Sequence, residues 1–213
     1  MMNWKDWNFF APESLLAPDG RRIMWAWCRL ENGGAQTAIQ SLPRELSLPE
    51  DGVLRIKPLR ELEKLRYDEK RVLGVDVKDG SRQLLEGISG DTVELRLAIK
   101  PTNARRFGIE VFCGEADEGF PISLVPGENV LTMGDIRPPI SLGKEERIDL
   151  RIFLDKSMVE VFVSDRQAAV YMQPHEPEDV GIALFCEGGD IEADVTAWKM
   201  RSIYEGETLF KKQ

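Results

Sequence analysis

The stretch Leu150-Arg151-Ile152-Phe153-Leu154-Asp155-Lys156-Ser157-Met158-Val159-Glu160-Val161-Phe162-Val163 decides the class of the fold. Ile148, Leu150, Ile152 and Leu154 recur at every second position, and so do Val159, Val161 and Val163 beyond the polar turn. A period of two sends alternate side chains to opposite faces of a strand, so this is a hairpin with one face in a core. Glu160 lies on the other face from the valines and Asp165 follows in a turn. Both read as solvated carboxylates rather than as an acid–base pair. The same alternation returns at Val93, Leu95, Leu97 and Ile99, and at Val180, Ile182, Leu184 and Cys186. Glycine-bearing turns recur, as at Pro18-Asp19-Gly20, Lys78-Asp79-Gly80 and Ser89-Gly90-Asp91. Half-buried strands joined by short polar turns make an antiparallel sandwich or barrel. No segment offers the long crossover helices of a parallel sheet.

Working outward from the hairpin, one stretch breaks the rhythm. Pro58-Leu59-Arg60-Glu61-Leu62-Glu63-Lys64-Leu65-Arg66 opens on proline and spaces its leucines three apart, as a short helix does. Before it, residues 9–16, 22–29, 40–46 and 53–57 read as four strands. The second, Ile23-Met24-Trp25-Ala26-Trp27-Cys28, is apolar on both faces and so expects cover on both sides. A four-stranded meander covered on both faces is one blade of a β-propeller, and no second copy follows. The expected organisation is all-β: a propeller-blade-like sheet over 1–57, a helical linker over 58–66, and a jelly-roll-like, concanavalin-like sandwich over 67–213.

Composition removes several functions. The chain has 213 residues with 28 Lys and Arg against 37 Asp and Glu, a net charge of −9. With no basic stripe to neutralise phosphates, no nucleic-acid or anionic-membrane partner is expected. The longest apolar run, Ile23 to Cys28, is too short to cross a bilayer, and the start Met1-Met2-Asn3-Trp4-Lys5-Asp6 has no signal-peptide core, which points to the cytoplasm. His175 is the one histidine, set in Gln173-Pro174-His175-Glu176-Pro177, so no multi-histidine metal site can form and His175 reads as a loop residue. Cys28, Cys113 and Cys186 are widely spaced in apolar stretches and read as buried free thiols. The acidic run around Glu115, Asp117 and Glu118 has no calcium-loop spacing and reads as solvated. No metal and no cofactor is expected.

Asn8-Phe9-Phe10-Ala11-Pro12-Glu13-Ser14, followed by Gly20-Arg21-Arg22-Ile23-Met24-Trp25-Ala26-Trp27, resembles the last propeller blade of glycoside hydrolase family 32, the invertases, levanases and inulinases. Gln40-Ser41-Leu42-Pro43-Arg44-Glu45-Leu46 is similar to the family's Ser-Leu-Pro-Arg-Glu strand, the most specific match. Val53 to Leu59 with Glu61-Leu62 resembles the exit from that blade, and the 150–163 hairpin resembles the hallmark hairpin of the family's C-terminal sandwich. The resemblance covers essentially the whole chain, and only the C-terminal part of a family enzyme.

It implies a fructoside hydrolase whose chemistry lies elsewhere. A retaining glycosidase needs two carboxyl groups about 5–5.5 Å apart. The family carries them in motifs like Asn-Asp-Pro-Asn-Gly, Arg-Asp-Pro and Glu-Cys, none of which occurs in this sequence. No catalytic residue is therefore expected, and the chain alone is expected to be inactive. The resemblance places Asn8, Glu13 and Trp27 at secondary sugar contacts. Asn8 stands where the family has aspartate and Glu13 where it has glutamine, while Trp27 matches the tryptophan of Gly-Trp.

Trp4, Trp7, Trp25 and Trp27 form an aromatic cluster that reads first as core or interface and second as a sugar platform. Three functions follow: a non-catalytic structural or oligomerisation unit, a piece of a longer fructosidase, or a lectin-like module for a fructose-containing carbohydrate. An orphan blade exposes the Trp25 face, so a homodimer is the expected assembly, with Trp4, Trp7, Trp25 and Trp27 at its interface.

Overall fold

The computed structural model describes residues 9–29, 38–115 and 119–203. Trp4, Trp7, Asn8, Asp117 and Glu118 lie outside the described residues. The remainder forms three antiparallel sheets.

The first sheet holds β1 (Phe10–Leu16), β2 (Arg22–Arg29), β3 (Ala38–Gln40), β4 (Arg44–Ser47) and β5 (Arg55–Pro58), in the order β1-β2-β4-β5 with β3 also on β2. The single strand expected over 40–46 is split. Gln40 pairs with Trp27 and Arg44 with Met24, so Ser41, Leu42 and Pro43 stand opposite Trp25 and Ala26 alone. Three residues against two is a bulge, and Pro43 has no N–H to give a ladder. The leucine-spaced segment after β5 is a 3-10 helix, Arg60–Leu65, with Leu62 buried.

The sandwich begins at β6 (Arg66–Val77). It continues through β7 (Arg82–Ser89), β8 (Thr92–Ile99), β9 (Arg106–Cys113), β10 (Phe120–Val125) and β11 (Val130–Met133). The hairpin β12 (Ile148–Asp155) and β13 (Met158–Val163) follows, then β14 (Gln167–Met172), β15 (Gly181–Glu187) and β16 (Ile191–Met200). A six-stranded sheet runs β14-β13-β12-β8-β16-β6 and faces a five-stranded one, β11-β10-β9-β15-β7. Period-two alternation predicts the pairing of the hairpin: Leu150 opposes Val163, Ile152 opposes Val161 and Leu154 opposes Val159. These side chains join Leu95, Leu97, Ile109, Ile122 and Leu184 in one core between the sheets. The fold is an all-β sandwich with an antiparallel blade against it. At Gly108, a Cβ would stand 2.0 Å from the Ile122 carbonyl oxygen, so only glycine allows β9 and β10 to approach this closely.

Alternation misleads on the outer face of the hairpin. Every residue of β13 is buried, because the blade lies across that face. Phe153, Phe162 and Ala168 pack with Ile56 and Leu62, and Met158 and Val170 pack with Cys28. Glu160, expected in solvent, is 1% exposed. It does face away from the valines, but into a second interface. Asp165 is the partial exception: it sits in the following turn, 3.2 Å from Lys57 Nζ, and its carbonyl accepts the Ile56 N–H at 2.7 Å. Of the two-sided cover that the pattern of β2 calls for, the sandwich supplies one side. Met24, Ala26 and Cys28 are buried on the sandwich side, while Ile23 and Trp25 are half-buried and Trp27 is exposed on the other.

Cys28, Cys113 and Cys186 are buried free thiols. His175 lies in a loop with its ring stacked on Phe112 at 3.9 Å between centroids.

Candidate functional site

Strand alternation places Trp25 and Trp27 on the blade face away from the sandwich, two residues apart. Glu13 pairs with Trp25 across the β1–β2 ladder, Phe10 with Trp27 and Leu15 with Ile23, so all share that face. Phe10 meets Trp27 edge to face at 5.8 Å. Trp27 remains 44% exposed, Phe10 39% and Leu15 43%. Of eleven large apolar residues that are exposed among the described ones, seven lie in this sheet and its turns: Phe10, Leu15, Leu16, Trp27, Leu48, Val53 and Leu54. Of these, Phe10, Leu15 and Trp27 share the face away from the sandwich, and exposed apolar residues gathered on one face mark a contact surface. The structure thus brings together Glu13, Trp25 and Trp27 of the residues expected at a pocket or interface.

A charged cluster borders this apolar surface. Glu45, opposite Ile23, accepts from Arg60 Nε at 2.9 Å, Arg60 Nη2 at 2.8 Å and the Arg60 backbone N–H at 3.0 Å. Arg21 donates to Glu45 at 3.0 Å, to Glu61 at 2.6 Å and 2.9 Å, and to Asp19 at 2.6 Å. The Arg60 guanidinium chiefly, with the Arg60 amide and Arg21, holds the Glu45 carboxyl down to about 2. This network ties the β1–β2 turn, β4 and the 3-10 helix into one rigid corner.

The opposite face holds a second group that alternation did not reveal. Arg44 is wholly buried and its Nη2 donates to Glu160 Oε2 at 2.9 Å. The Leu42 N–H donates to Glu160 Oε1. The Arg44 guanidinium carbon lies 4.4 Å from the Phe9 ring centre and 5.4 Å from that of Phe162, and its Nε and Nη1 find no hydrogen-bond acceptor. Burial pushes the Glu160 carboxyl above the ordinary carboxylate range, against the pull of Arg44 and the Leu42 amide. The signal was present in the sequence: Met158 and Phe162 flank Glu160 on its own face, and apolar neighbours on both sides are a poor match for a solvated surface. What the sequence lacked was the partner.

A family model described as Glycosyl hydrolases family 32 C terminal matches residues 61–199. The chain belongs to glycosyl hydrolase family 32. Raffinose invertase of Escherichia coli is 30% identical over 208 residues, covering 91% of this chain and 42% of that protein. Levanase of Bacillus subtilis is 27% identical over 220 residues, 89% of this chain and 32% of that one. The solved structure of fructan 1-exohydrolase IIa from Cichorium intybus shares the fold, with a TM-score of 0.76 at 17% identity, over 94% of this chain and 49% of that chain. Sucrose-6-phosphate hydrolase from Lactobacillus gasseri does so with a TM-score of 0.73 at 22% identity, over 92% and 42%. The chain spans less than half the length of these family-32 relatives, and what it matches is their C-terminal part.

Proposed function

We propose that this chain serves as the C-terminal supporting part of a fructoside hydrolase. The blade closes one side of a sugar-binding domain and the sandwich holds the blade. The observation that carries this reading is the partly exposed apolar face of Phe10, Leu15, Trp25 and Trp27 on a chain matching under half of its relatives. Such a face is what a blade presents to the sheet beside it. Two carboxyl groups across a glycosidic bond are required for hydrolysis, and the family motifs that would supply them are absent from residues 1–213. Catalysis therefore belongs to a part that docks on this face, and Trp27 with Glu13 contributes to the wall of a pocket for a fructose-containing carbohydrate.

The DNA immediately upstream of the Met1 codon tests this. A frame there encoding Asn-Asp-Pro-Asn-Gly and Glu-Cys, whose product co-purifies with or continues into this chain, is the expected result. A locus whose only family-32 product is this chain, binding no such partner, contradicts it.

A further inference from the structure

We propose that Glu160 is a positioning residue: from the sandwich it fixes the 41–43 bulge of the blade and, through it, the Trp25–Trp27 segment. The two carboxylate oxygens of Glu160 do different things. Oε2 accepts from Arg44 at 2.9 Å, and Oε1 accepts from the Leu42 backbone N–H. Arg44 and Leu42 flank Pro43, so one carboxylate grips both sides of the bulge. The extra residue of the bulge takes the 41–43 segment out of regular pairing with β2 and leaves the Leu42 N–H to the sandwich.

The grip reaches the tryptophans through Ser41, which is 3% exposed. The Ser41 N–H donates to the Ala26 carbonyl at 2.8 Å, and the Ala26 N–H donates to Ser41 Oγ at 3.0 Å. Ala26 stands between Trp25 and Trp27. With regular pairing interrupted at this point, these two bonds hold the middle of β2 to the bulge. The route from Glu160 to the aromatic face is therefore short: one carboxylate, one bulge, one residue of β2.

The chemistry of the contact also favours a positioning role over simple cohesion. A buried ion pair is a poor source of stability, because desolvating both charges offsets their attraction. Here the Arg44 guanidinium makes one hydrogen bond among the described residues, so apolar side chains would hold the blade down as well. What they would not supply is an acceptor for the Leu42 N–H. The contact also joins the two most family-specific stretches, 40–46 and 150–163, which lie more than a hundred residues apart (|i−j| = 116 for Arg44 and Glu160). The importance of the position for sugar binding rests on the reading of Trp27 as pocket wall; the Glu160–Leu42–Ser41–Ala26 geometry does not.

The test uses the full chain with Glu160→Leu combined with Arg44→Met. Amide exchange at Leu42 and Ala26 is read relative to Leu97 in the sandwich core, which cancels global unfolding, alongside near-ultraviolet dichroism of the tryptophans. The expected result is an unfolding midpoint near that of the unmodified chain. Leu42 and Ala26 should exchange about tenfold faster relative to Leu97, with an altered tryptophan signal. Unchanged ratios and an unchanged signal would overturn the proposal. Should the double variant fail to fold, Glu160→Gln decides by the same ratio. A neutral acceptor is weaker than a carboxylate, so about a fivefold rise at Leu42 is expected, and no rise overturns it. Calorimetry with fructose on the same variants addresses the pocket separately. Unaltered sugar binding beside raised exchange removes Trp27 from the pocket wall and leaves the positioning role standing.

Discussion

Arg44 shows why a buried ion pair is judged by what its removal leaves behind. Replacing Glu160 with alanine strands the Arg44 guanidinium between the Phe9 and Phe162 rings with no counter-charge. Breaking one side of such a pair costs about 3–5 kcal/mol. Urea unfolding of Glu160→Ala should show a loss of that size, and a loss under about 1 kcal/mol would mean the pair is solvated in practice. The cysteines offer a second residue-scale check. Desolvation pushes the Cys28 thiol up to about 12, and it also raises Cys113 and Cys186. Thiolate is the reactive form, so none of the three should react with iodoacetamide at pH 8 in the folded chain, and all three should do so in urea. Labelling of the folded chain, read by mass spectrometry, would show that one of these sites opens. Residue identity was legible for the cysteines, whose apolar surroundings are written in the sequence. For Glu160 its apolar neighbours Met158 and Phe162 hinted at burial, but alternation gives only the face of a strand and does not name the Arg44 and Leu42 that cover it.

At the scale of elements, the Glu45 corner makes a pH prediction. Its carboxyl has an ordinary value of 4.5 and is held to about 2 in the folded chain. Between those values the unfolded chain binds the proton and the folded chain does not. The stabilisation is therefore complete above about 4.5 and lost as pH falls toward about 2. Arg60 is 65% exposed, so solvent screening limits the effect to about 1 kcal/mol. Glu45→Gln should flatten the dependence of the unfolding midpoint on pH between about 5 and about 2. An unchanged slope would assign the acid loss to other carboxylates. The strands themselves were readable: 92–99 and the 148–163 hairpin fall where period-two patterning puts them, and β1 and β2 fall in the stretches 9–16 and 22–29 read as strands. The break at Ser41–Pro43 was not. Pro43 was the one local sign against a continuous strand over Gln40 to Leu46, but the form of the break is held from outside by Ser41 on Ala26 and by Glu160 on Leu42. Tertiary hydrogen bonds overrode local preference there.

For the whole molecule, the sheet that reads as one orphan blade is half covered. The sandwich buries Met24, Ala26 and Cys28, while on the other face Ile23 and Trp25 are half-buried and Trp27 is exposed. Made on its own, the chain should hide that face against a second copy. Sedimentation at micromolar concentration should show a homodimer, and Trp25→Glu should return it to monomers; a monomeric unmodified chain would contradict this. The family was legible from the motifs in 40–46 and 150–163. The absence of the catalytic motifs could likewise be read off directly, since it is a property of the sequence. How the two motif stretches touch could not, because nothing in either one specifies its long-range partner. The most direct measurement for the central claim is fructose release from sucrose, raffinose and levan by the purified chain. A chain that supports an active site without furnishing its carboxylates releases no fructose above the buffer control. Saturable release at a turnover of about 1 per second or more, tracking the chain through purification, would contradict it.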